Sequence, residues 1–205
     1  MEVVYLKKIQ NNYFKNKNII GLVGEYEDLI SLVNNIENIE LNINLKVKHY
    51  LKESINLLEK FYLNKDIINK KISELSNTEY KIISLIKTIE LNPELIILNN
   101  FEIGINEKYL NNIIRFLKNI NSERNIKIIV LSHNISFLNK MTKTIIIMKN
   151  GIIKYQGDLL NGILQGLLPK PEIIKFIDLA NKKSANLAYT LDEKELLKDI
   201  YRSVF

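Results

Sequence analysis

Short apolar runs alternate along the chain with longer stretches in which apolar residues recur every three or four positions. The runs read as buried strands and the stretches as helices with one apolar face. Met1 to Leu6 predicts a first strand, and Ile19 to Val23 a second that ends at Gly24. Asp28 to Ile36 has helical spacing through Leu29, Leu32, Val33 and Ile36. Val47 to Leu63 predicts a further helix, and Ser76 to Leu91 another through Ile82, Ile83, Ile86 and Ile89. Pro93 divides that helix from a strand at Leu95 to Leu98, because the residue before a proline is driven out of the helical region. Asn106 to Ile120 predicts a helix, Ile126 to Leu131 a strand, and a short helix follows from Asn134. Strands at Thr144 to Met148 and Ile152 to Tyr155 flank Lys149-Asn150-Gly151, and Asn-Gly is a strong hairpin signal.

This alternation predicts an α/β fold whose sheet is largely parallel and covered on both faces. A length of 205 residues allows one compact domain, or one with a small appendage. With 46% apolar and 25% charged residues, wholesale disorder and coiled-coil composition are disfavoured. No apolar run reaches the roughly 18 residues of a membrane span, and the first residues lack a signal-peptide arrangement. Cysteine is absent, which removes disulfides, thiolate zinc sites and cysteine nucleophiles together and fits a cytoplasmic protein. The net charge of +6 is spread over lysines, and only Arg115, Arg124 and Arg202 could grip phosphate bidentately, so no nucleic-acid partner is expected. Ile, Asn and Lys are abundant in the manner of AT-rich codon usage, so a single Asn or Lys carries little information.

Five segments in order carry a resemblance: GLVGE at 21 to 25, ELS at 74 to 76, LNPELIIL at 91 to 98, LSH at 131 to 133, and IIIMKNGIIKYQGD at 145 to 158. Together they resemble the ATP-binding-cassette (ABC) ATPases. The interval of 24 residues from Leu75 to Asn99, and that of 34 from Asn99 to His133, match the family's spacing of signature, Walker B strand and switch histidine. The tail, with Leu167, Pro171 and Ile174 followed by Thr190, Glu193, Glu195, Leu196 and Ile200, looks like the C-terminal extension of energy-coupling-factor subunits of the cobalt and vitamin type. Locally, Thr190 with Glu193 also reads as a plain helix-capping box. The resemblance implies a P-loop NTPase-like core over 1–158, with reduced N-terminal strands and helical subdomain, and a helical extension over 159–205. It also implies the family's ATP and Mg2+, a heterodimer with an intact ABC ATPase subunit, a membrane-embedded transporter subunit, and a peripheral place on the inner face of the membrane.

The chemistry that the family needs is missing from these motifs. Aligned on Gly24, the phosphate-binding pattern G-x-x-G-x-G-K-S becomes G-E-Y-E-D-L-I-S. Glu27 and Leu29 replace glycines, Ile30 replaces the lysine, and Ser31 alone matches. The alternative is a structural turn capped by Asp28 or Glu27. The Walker B acids are replaced by Asn99 and Asn100, which carry no charge and cannot act as a base at neutral pH. The signature reads Leu75-Ser76-Asn77-Thr78-Glu79 in place of LSGGQ, and Ser76, at a helix start, reads first as an N-cap. His133 keeps the setting of the switch histidine, but with no γ-phosphate to sense it reads as structural. Only about 50 residues separate the Walker A position from Leu75, roughly half the family's interval, so the glutamine loop is absent. Tyr5 and Tyr13 are candidates for the aromatic that stacks on adenine. The expectation is therefore a degenerate cassette subunit that binds no cofactor or metal and acts as a non-catalytic partner. A free-standing adaptor and an active ATPase stand as alternatives.

Overall fold

Apolar runs that are buried on both faces form the centre of the protein, as parallel strands require. The structure, a computed structural model, describes residues 3–6, 19–33, 36–51 and 54–204. Tyr13 lies outside them. Among the described residues, seven strands form one sheet: β1 (Val3–Leu6), β2 (Ile19–Val23), β3 (Glu37–Asn38), β4 (Leu95–Asn99), β5 (Lys127–Leu131), β6 (Thr144–Lys149) and β7 (Ile152–Asp158). Their order is β3-β1-β4-β5-β2-β6-β7. The four inner strands β4, β5, β2 and β6 run parallel, while β3 and β1 at one edge and β7 at the other pair antiparallel. This is the mostly parallel α/β sheet that the alternation predicts.

Alternate residues of the inner strands enter two apolar layers. On one face Ile20, Leu22, Leu95, Ile97, Ile129, Leu131, Ile146 and Met148 pack with Leu29 and Val33 from the helix α1 (Tyr26–Leu32) and its end. The other face is the larger. There Ile96, Leu98, Ile128, Val130 and Ile145 meet α3 (Asn77–Glu90), α4 (Glu107–Arg124) and α5 (Ile135–Met141). The C-terminal residues 159–204 supply α6 (Leu159–Leu164), α7 (Glu172–Lys182) and α8 (Glu193–Val204). Their Leu159, Ile163, Leu168, Ile174, Ile177, Leu187 and Leu196 join that same layer. Leu197, beside Leu196 on α8, is exposed; Ile173 and Ile200 are half-buried.

Two helices differ from expectation. Val47 to Leu63 is not one helix: the described residues form a 3-10 turn at Val47–His49 and a single helical turn, α2 (Leu57–Lys60), before Tyr62 enters the left-handed region at φ 57°. Val47, Leu51, Leu58, Phe61 and Leu63 are nevertheless buried, so their spacing anchors an irregular segment and not a helical face. The helix expected at Asp28 to Ile36 starts two residues earlier and ends at Leu32, because Asp28 caps the first turn from inside it.

Candidate functional site

Open parallel sheets bind ligands in the crevice beyond the carboxyl ends of their strands. The register brings Leu22 level with Leu131 and Asn99 level with the same residue, so β2, β4 and β5 end together. The amide of Ser132 donates to Leu22 O at 3.1 Å, and that of Asn100 to Leu131 O at 2.8 Å. Gly24, Asn99, Asn100, Ser132 and His133 are thereby gathered from three distant parts of the chain.

The connection from β2 to α1 consists of two residues, Gly24 and Glu25. Glu27, Leu29, Ile30 and Ser31 lie within α1, where Leu29 is buried in the core and Ile30 is about half exposed. The Ser31 hydroxyl donates back to Asp28 O at 2.6 Å. Asp28 is 4% exposed. Its Oδ2 accepts the Glu25 amide at 3.0 Å, and its Oδ1 accepts the Gly151 amide from the β6–β7 hairpin at 2.6 Å. A Cβ at residue 24 would lie 2.8 Å from Asp28 Oδ2 and 3.2 Å from Met148 O, so glycine is needed for that close approach. Asn150 and Gly151 both have positive φ, 55° and 72°, as a tight Asn-Gly hairpin demands. A phosphate group would have to displace a buried carboxylate from these amides, and Ile30 holds the position of the family's lysine. The residues of this turn do not fit a triphosphate.

Asn99 closes β4 half-buried, and Asn100 turns the backbone at φ 45°, a conformation that asparagine tolerates better than most residues. Two residues further on is an acid that sequence reasoning passed over. Glu102 is 8% exposed, and the fully buried Ser132 hydroxyl donates to its Oε1. Ser132 Oγ in turn accepts the Asn134 amide at 2.9 Å. Lys81, also unremarked in the sequence, is 1% exposed on α3 and donates from Nζ to Phe101 O at 3.0 Å and to Ile103 O at 2.5 Å. The only available signal was a charge placed among apolar neighbours, Glu102 between Phe101 and Ile103 and Lys81 just before Ile82. His133 is exposed at the surface.

The signature-like residues form the start of α3. Ser76 is its N-cap, accepting the Glu79 amide at 3.2 Å, while Glu79 Oε2 accepts the Ser76 amide at 2.7 Å. Lys70 pairs with Glu79 at 2.9 Å. Burial pulls the Glu79 carboxyl upward, but hydrogen bonds from Ser76 and Lys70 outweigh it and hold the group below its ordinary value. Leu75 is half-buried against the core, and the Thr78 hydroxyl donates to Gly104 O at 3.3 Å. A Cβ at residue 104 would lie 2.9 Å from Asn77 Nδ2. Between Glu37 and Leu75 the longest α-helix among the described residues is the four-residue α2. Tyr5 is buried within β1, with its hydroxyl donating to Glu37 at 2.9 Å, so it has no ring face free for a base.

No family model matches the chain. It is 28% identical over 153 residues to the lipoprotein-releasing system ATP-binding protein LolD of Wigglesworthia glossinidia brevipalpis, covering 73% of this chain and 66% of that one. Over 89 residues it is 28% identical to the energy-coupling factor transporter ATP-binding protein EcfA2 of Clostridioides difficile, covering 43% and 31%. The methionine import ATP-binding protein MetN of Lactobacillus acidophilus aligns over 209 residues at 24%, with all of this chain and 57% of that one. The chain therefore spans two thirds or less of the length of these relatives. In three dimensions it superposes on a nucleotide-free ATP-binding cassette from an ABC transporter with a TM-score of 0.59 at 13% identity, covering 86% and 99%. The dimeric structure of a bacterial ABC transporter cassette gives 0.56 at 14%, covering 76% and 98%. The fold is that of the ABC cassette.

Proposed function

We propose that this homologue of ABC-transporter ATP-binding subunits is a non-catalytic cassette, of the energy-coupling-factor kind, which completes a transport complex beside an intact ATP-binding subunit. The observation that carries the reading is the Asp28 carboxylate seated on the amides of Glu25 and Gly151, at the end of a connection too short to wrap a phosphate. Asn99 and Asn100 support it, since neither amide can hold a charge against a metal or take a proton from water at neutral pH. In this reading the division between cassette core and extension falls after residue 158, and the subunit works at the inner face of the membrane. No described helix is long and apolar enough to cross a membrane.

The energy-coupling-factor assignment rests on the tail motifs and on EcfA2 relatives, which stand beside LolD, MetN and PhnC among the matches. A second reading, an adaptor or regulator without a membrane subunit, is favoured by one feature. The segment from Glu37 to Leu75 is irregular and short, whereas the family resemblance would put a helical subdomain there to receive the membrane partner. Affinity purification of the tagged chain from its native cells separates the two. Co-elution of an intact ATP-binding subunit and a multi-span membrane protein is the expected result; recovery with neither supports the adaptor. The purified chain alone is expected to hydrolyse no ATP, and turnover abolished by Ser31→Ala would return the active-ATPase reading.

A further inference from the structure

Among the described residues, Asp28, Lys81 and Glu102 are the charged side chains buried below a tenth of their surface, and all three lie at the carboxyl ends of β2, β4 and β5. Burying a charge is costly unless it is hydrogen-bonded or paired. Their concentration at one end of the sheet therefore calls for an explanation.

We propose that these three residues do from within the chain what a bound ligand does for an intact nucleotide site: they hold the connections after β2, β4 and β5 in one arrangement, so that this subunit keeps a fixed shape without nucleotide. The inference rests on the non-catalytic reading above and adds a mechanical role to it. Asp28 ties α1 to the tip of the β6–β7 hairpin, 123 residues away, through its bonds to the Glu25 and Gly151 amides. Glu102 ties the connection after β4 to the one after β5 through the Ser132 hydroxyl, which also receives the Asn134 amide at the start of α5. Lys81 fastens α3 to the carbonyls on either side of Glu102, so its ammonium binds the same short segment that carries the carboxylate. Each tie joins elements far apart in sequence. Helices α1, α3 and α5 and the hairpin are thus fixed to the strand ends by the protein's own charges, and the subunit is a set half of its complex, not a switching one.

Hydrogen exchange on the full chain, with and without about 1 mM MgATP, tests this. In the nucleotide-free protein, the amides of Glu25, Asn134 and Gly151 are expected to be protected, and MgATP is expected to leave them unchanged. Asp28→Asn should speed exchange at Gly151 and Glu25 by about tenfold or more while sparing Asn134. Glu102→Ala should do the reverse. Lys81→Met should loosen residues 101–103 alone. Free exchange of these amides in the wild-type protein would overturn the inference even with the non-catalytic reading intact, and so would uniform exchange changes in folded variants. If a variant fails to fold, the wild-type measurement still decides. Slowing of these amides by MgATP would instead contradict the non-catalytic reading itself.

Discussion

At the scale of single residues, the side chains in motif positions serve local structure. Ile30 is about half exposed on the second turn of α1, and the amides that a phosphate would need are already taken by Asp28. Ile30→Lys and Asn100→Glu are accordingly expected to restore neither nucleotide binding nor turnover, as filter binding and a phosphate-release assay would register. Asp28→Ala removes a charged acceptor from two amides, each such bond contributing about 1.5–3 kcal/mol. Thermal unfolding should fall by at least about 6 °C, given roughly 2–4 °C per kcal/mol for a chain of this size. Glu79 makes a pH prediction. Its folded value lies below the ordinary 4.5, so its contribution is complete above that pH and is lost as the pH falls through the lowered value. Glu79→Gln should lower stability near neutral pH and flatten its decline on acidification, as melting curves taken across the acid range would record. The role of Asp28 was legible in part, with Glu27 as the alternative, because an acid in the first helical turn, five residues after a strand's end, has a capping position open to it. Lys81 and Glu102 were not, since nothing local shows that a charge will be covered by segments twenty or thirty residues away.

At the scale of elements, legibility followed the environment. Strands β2, β4 and β5 are buried on both faces, and an uninterrupted apolar run can hardly be anything else. The Asn150-Gly151 turn declared itself through the two positive φ values its hairpin requires. The segment from Val47 to Leu63 misled because apolar residues three and four apart can pin turns to a core as well as line a helix. Helix α3 was read well, and its capping box can be tested: Ser76→Ala should cost about 1 kcal/mol, or a few degrees in the melting temperature. The extension is part of the core layer. Ile177→Ala on α7, at a side chain with no exposure, should cost about 2–5 kcal/mol, and calorimetry showing no change would detach α7 from the fold described above.

At the scale of the whole molecule, the sheet still gathers the strand ends where cassettes place their chemistry, but here those ends carry a short turn, two neutral amides and an internal carboxylate. On the reading proposed above, this cassette fold is independent of nucleotide, which the melting temperature of the isolated chain with and without MgATP decides. A site with a dissociation constant near 10 μM, given about 1 mM nucleotide, would add roughly 2.7 kcal/mol and raise the melting point by about 5–10 °C. The proposed reading gives no shift. A magnesium-dependent rise of several degrees, reversed by Ser31→Ala, would contradict it.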